Sequence, residues 1–130
     1  MKTKIVKCTE ITEAKLYVTH FRGEPVISTA ILSDLFHVNE DRIRGIARAN
    51  RHLLIPDVDF YRLAGDDLRE YKMACDVPFD CDVESLSPVV SRSASMLTVW
   101  TANGVLALAM LLGGDAHFVH RDLKMAYFGV

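Results

Sequence analysis

The segment that most restricts the fold runs from Thr101 to Gly114. Thr101 can accept a hydrogen bond from the free amides that open a helix, Ala102 to Leu112 carries no charged side chain, and Gly113-Gly114 closes it. A helix apolar on nearly every face has to be surrounded, so the rest of the chain must supply cover for a central element. Its uninterrupted apolar run, Val105 to Leu112, is eight residues long. A membrane span needs roughly 20, so this is a core helix and no crossing is expected. Lys2, Lys4 and Lys7 lead into no apolar stretch, which argues against a secretory signal and for a cytoplasmic setting.

The chain has 130 residues, half of them hydrophobic, enough for one core and too few for two ordinary domains. The β-prone stretches Leu16 to Thr19 and Pro25 to Ser28 flank His20-Phe21-Arg22-Gly23-Glu24 and read as a hairpin. Ser28 or Thr29 then caps a short helix with Ala30, Ile31, Leu32, Leu35 and Phe36 as its apolar stripe, ending near His37. Asn39 caps a second helix with Glu40 and Asp41 in its first turn, where the helix dipole favours acids. In that helix Ile43, Ile46, Ala47 and Asn50 share one side, and Arg44, Arg48 and Arg51 share the flank facing away. Pro56 closes the region, Asp57-Val58-Asp59 sets up a strand over Phe60 to Leu63, and Gly65-Asp66-Asp67 opens an acidic helix through about Met73.

Residues 75–95 show no sustained period and read as a long loop or insertion. Met96 to Trp100 is β-prone and precedes the core helix. After it, Asp115 caps a last helix, Ala116 to Phe128, with Phe118, Val119, Asp122, Met125 and Ala126 along one side. The expectation is a small single domain of the α+β class. It holds a β-hairpin, a helix-turn-helix-like pair and two carboxy-terminal helices, with residues 1–12 as an extension and 13–130 as the domain.

The formal charge of −2 gives no general attraction to phosphate, so nucleic-acid binding would need a local basic surface. Charge is segregated: Arg42 to His52 holds four arginines and a histidine without an acid, and Val77 to Leu86 holds Asp80, Asp82 and Glu84 without a base. Two short helices joined near His37-Val38-Asn39, the second bearing arginines, have the form of a helix-turn-helix reader. A guanidinium can fork onto a guanine edge or clamp a phosphate. A solvated face whose arginines pair with nearby acids explains the same stripe.

An enzyme finds little support. His117 and His120 with Cys75 and Cys81 could be four zinc ligands, but cysteines six apart miss the usual knuckle spacing. An odd count of three cysteines fits reduced thiols. Asp57 with Asp59, and Asp66 with Asp67, are explained by turns and caps. Trp100, Phe60, Tyr61, Phe118, Tyr127 and Phe128 are assigned to the core and not to a base-stacking platform. Nucleophile elbows, phosphate loops and dinucleotide fingerprints are absent from the sequence, so no catalytic group, cofactor or metal is expected.

The order of several short pieces is familiar. Arg22-Gly23-Glu24-Pro25-Val26 leads into a short helix, the next helix ends in Arg48-Ala49-Asn50, and Asp57-Val58-Asp59-Phe60 follows. Leu97-Thr98-Val99-Trp100-Thr101-Ala102-Asn103-Gly104 then opens the apolar helix. This pattern resembles the amino-terminal domain of phage antirepressors, the ORF-six amino-terminal family related to KilA-N and Bro-N domains, over about residues 13–128. The resemblance implies a phage or prophage regulator that binds double-stranded DNA. Arg42, Arg44, Arg48, Arg51 and His52 are then the DNA-contacting residues, and Asn50 holds the helix end against the following strand. Where such domains commonly carry basic residues, this chain has an acidic helix and a serine-rich segment. An acidic copy of such a domain could instead inactivate a repressor protein by direct contact, through Asp76, Asp80, Asp82 and Glu84. Palindromic operators commonly call for a homodimer, and the last helix is the candidate seam.

Overall fold

A computed structural model of the chain describes residues 5–8, 14–75, 85–86 and 95–129. In chain order its elements are β1 (Ile5–Cys8), β2 (Ala14–Tyr17), β3 (Thr19–Phe21), β4 (Glu24–Ser28), α1 (Thr29–Phe36), α2 (Glu40–Ala49), β5 (Phe60–Ala64), α3 (Gly65–Cys75), β6 (Ser85–Leu86), β7 (Met96–Trp100), α4 (Ala102–Leu112) and α5 (Ala116–Ala126). The architecture is a small α+β domain on a four-stranded antiparallel sheet of order β3-β4-β7-β5. A separate small sheet pairs β1 antiparallel and β6 parallel with β2. Residues 5–8, read from sequence as part of an extension, thus carry a strand, and so does the 75–95 segment at 85–86. Among the described residues no helix is long and apolar enough to cross a membrane.

The β3–β4 hairpin is tighter than the sequence suggests. Phe21 pairs with Glu24, leaving Arg22 and Gly23 alone as the turn, with φ of 52° and 81°. Two consecutive left-handed residues give the turn whose twist matches the strands. Downstream, Ser28 accepts from the Ile31 amide at the start of α1, and left-handed His37 ends that helix. Asn39 accepts from the Arg42 amide and opens α2.

Strand alternation sorts the central sheet into two faces. Phe21, Val26, Tyr61, Leu63 and Val99 lie on one, where α3 covers them with Leu68 and Tyr71. Trp100 and Phe60 lie on the other, against the larger core contributed by α1, α2, α4 and α5. The Tyr127 hydroxyl ties the end of the chain to the hairpin, accepting from the Thr19 amide at 3.1 Å and donating to the Val26 carbonyl at 2.7 Å.

Both carboxy-terminal helices depart from expectation. In α4, Gly104, Val105, Leu108 and Ala109 are buried, but Leu106 and Met110 face out, Met110 at 74% exposure. The helix is therefore covered on one side and not enclosed. In α5 the buried stripe is Ala116, Val119 and Leu123, continued by Tyr127, while Phe118 and Met125 are exposed. Buried Tyr127, bonded to the hairpin, stands in line with that stripe. Asp115 stands before α5 but makes no capping bond, because its own backbone is already helical (φ −72°, ψ −9°) where a capping residue is extended.

Candidate functional site

The pieces Asp-Phe and Trp-Thr-x-x-Gly meet in space. Asp57 adopts φ of 66° in a tight turn, and the carboxylate of buried Asp59 accepts from the Ile55 amide at 2.8 Å. The Thr101 hydroxyl donates to the Val58 carbonyl at 2.6 Å, and its oxygen accepts from the Gly104 amide as the cap of α4. The Thr101 amide reaches the Asp59 carbonyl at 3.1 Å. Gly104 passes so close that a Cβ there would stand 1.8 Å from the Asp59 carbonyl oxygen, which only glycine permits. Trp100 is buried and donates from Nε1 to Thr29 Oγ1 at 2.9 Å. These residues interlock the start of α4, the 57–60 turn and the start of α1, so their role is to hold the fold.

Asn50 also acts within its own element. Its side-chain Nδ2 donates to the Ile46 carbonyl at 2.9 Å, closing the end of α2 on itself instead of bridging to the strand, as had been expected. A short amide reaches its own helix end more readily than a strand beyond an intervening loop.

The interlock leaves a cleft of about 790 Å³ between α2 and the strands β5 and β7. Ile43 is buried and Ile46 and Ala47 pack on the core, which turns Arg44, Arg48 and Arg51 toward the cleft as one wall. Across the floor, β5 and β7 pair Phe60 with Trp100, Arg62 with Thr98 and Ala64 with Met96. Arg62, Thr98 and Met96 line the opposite wall. Four arginines thus face two carboxylates, Glu40 and Asp57.

The arginines are not equivalent. Arg44 is tied to the acids one turn before it, at 3.1 Å from Glu40 and 3.0 Å from Asp41. Such exposed pairs are weak, about 0.3–0.5 kcal/mol, and yield readily to a stronger anion. Among the described residues Arg48, Arg51 and Arg62 engage no carboxylate. Arg42 is exposed on a different flank, two residues and so about 200° from Arg44. His52 is exposed in the turn after α2, and neither residue lines the cleft. The basic run read from sequence therefore divides, with three arginines in the cleft and Arg42 and His52 outside it.

Arg62 was missed. The alternation of Phe60 to Ala64 shows that it points away from Tyr61 and Leu63, but nothing in the sequence says that its face lies open beside α2. Asp76, Asp80, Asp82 and Glu84, the residues expected to grip a repressor, lie outside the described residues, as does Cys81 of the zinc reading. Of the two histidines in that reading, His120 is partly buried, and burial with nearby Lys124 and His117 lowers its pKa from the usual value. On the other face of β5, Tyr61 donates to the Glu24 carboxylate, a bond that raises the phenol pKa.

A protein-family model described as the ORF6N domain matches residues 16–111 of the chain, a span that contains the hairpin, α2, the interlocked turn and nearly all of α4. Neither a curated protein nor a solved structure matches it.

Proposed function

The chain belongs to the ORF6N domain family, a phage-associated family of the KilA-N and Bro-N type, and on that premise we propose that it binds double-stranded DNA through α2 and controls phage gene expression, without catalysis of its own. The observation that carries the proposal is the arginine-lined cleft beside α2, where Arg48 and Arg51 stand with no carboxylate partner among the described residues. With a net charge of −2 the molecule as a whole does not attract DNA, so affinity has to come from such a local surface. Guanidinium groups suit it because they offer planar, permanently charged forks to phosphate or to a guanine edge. The described helix pair also has suitable parts, with α1 and α2 separated only by His37, Val38 and Asn39.

A mobility-shift assay on the region upstream of the protein's own gene, run at two salt concentrations, tests this. Binding should weaken steeply with salt, as displacement of counterions by arginine requires. Replacing Arg44 and Arg48 together by alanine should weaken binding further while the circular dichroism spectrum and melting temperature stay those of the parent. Arg48→Ala should account for most of the loss, since Arg44 already spends part of its charge on Glu40 and Asp41. Retention of DNA by the double variant at the parent's affinity would remove α2 from the interface.

A further inference from the structure

The cleft has a second wall, and it constrains how a duplex can sit. An α-helix with its side chains is about 10–12 Å across, close to the width of a major groove. A helix in that groove has a sugar-phosphate backbone running along each side. On one side of α2 that position is the cleft, whose volume of about 790 Å³ is far too small for a duplex but open to a single backbone ridge. The sheet wall then meets the ridge from outside the groove. Arg62 projects from β5 there, opposite Thr98 of β7, on the face that α3 leaves uncovered.

Resting on the reading that α2 binds DNA, we infer that this cleft is a clamp for one phosphodiester strand of the duplex, with Arg48 and Arg51 on the groove side and Arg62 on the outer side. Charge complementarity selects this occupant: three of the four lining arginines have no carboxylate partner among the described residues. Because Arg62 approaches from outside the groove, it meets phosphate and not base edges. It supplies affinity and register, and no sequence preference. The clamp also explains how a short helix is held at one depth in the groove, since the strand is gripped from two sides.

Fluorescence anisotropy with the full chain tests the clamp on two probes, a mixed-sequence duplex and the upstream-region duplex, across a salt series. Arg62→Ala should weaken binding by about tenfold on both, the size of one charged hydrogen bond. It should also reduce the slope of log affinity against log salt by about 1. Arg62→Lys should recover part of the affinity, and Thr98→Glu, which puts a negative charge in the cleft, should lower it on both probes. Melting temperatures report folding, and if Arg62→Ala fails to fold, Thr98→Glu decides. Unchanged affinity and slope in both variants, with a loss in Arg48→Ala, overturns the clamp and leaves α2 as the DNA element. A changed preference between the two probes overturns it as well, because Arg62 would then be reading bases. Failure of the parent to bind either probe overturns the clamp together with the proposed function.

Discussion

The interlocked turn and the arginine cleft share a border at Trp100 and Phe60, yet they are built on opposite principles. In the interlock, Asp59, Thr101, Gly104 and Trp100 are buried and their hydrogen-bonding groups are partnered within the chain. In the cleft, Arg48, Arg51 and Arg62 are exposed, and among the described residues their guanidinium groups engage no carboxylate. Self-satisfied groups stabilise the molecule and have nothing left to offer a ligand. Unsatisfied charges contribute little to the fold and keep their bonding capacity for something outside it. Of the sequence pieces that make the chain recognisable, Asp57-Val58-Asp59-Phe60 and Trp100-Thr101-Ala102-Asn103-Gly104 meet in the first region, while Arg48, from the piece that ends α2, stands in the second with the other residues proposed to act.

The sharpest way to break this contrast is to disturb the interlock. Gly104→Ala drives a Cβ to 1.8 Å from the Asp59 carbonyl oxygen and 2.9 Å from Trp100 Cε3, and neither backbone nor buried indole can step aside cheaply. A loss of about 3 kcal/mol or more is expected in denaturant unfolding, in line with severe overpacking of a core. DNA binding should fall only as far as the folded fraction does. A variant with the parent's unfolding midpoint would show that the close approach is not what seats α4.

A smaller effect separates the two bonds of the Thr101 hydroxyl. Thr101→Ala removes the cap of the Gly104 amide and leaves the Val58 carbonyl without its donor. Together these should cost about 1–2 kcal/mol. Thr101→Ser keeps the hydroxyl and should restore most of it. Equal losses in both variants would point to the methyl group and its packing instead.

How much was legible follows the same division. Caps are local chemistry, so Ser28, Asn39 and Thr101 marked their helices correctly. The strand over Phe60 to Leu63 and the structural role of Asp57 and Asp59 were readable for the same reason, since the side chain and the amides it serves lie within a few residues. The rotation of α5 was not, because the stripe it buries is chosen by a core assembled from α1, α2 and α4, and Tyr127 bonds to Thr19, far away in sequence. The open side of α4 was hidden because an apolar sequence does not say which neighbours arrive. Arg62 escaped because the cleft requires α2 and β5 to be placed side by side. For the candidate site, periodicity correctly grouped Arg44, Arg48 and Arg51, while spacing alone could not show that Arg42 and His52 fall outside the cleft.

The least visible substitutions should be those in the second region. Arg48 lies in the last turn of α2, where the helix dipole favours a cation by about 0.3–1 kcal/mol, but it also sits four residues after Arg44, a like-charge spacing that costs a few tenths. Those effects nearly cancel. Arg48→Gln preserves helix propensity and removes only the charge, so its unfolding free energy should stay within about 0.5 kcal/mol of the parent. The residual difference should shrink further in salt, as an exposed electrostatic effect must. Arg51→Gln, beyond the helix, should behave alike. Each should nonetheless weaken DNA binding by far more than it moves stability, the reverse of what Thr101→Ala does. A stability loss above about 1 kcal/mol in Arg48→Gln would mean that this arginine helps to hold the domain together, and the division between a structural border and a free, charged cleft would have to be redrawn.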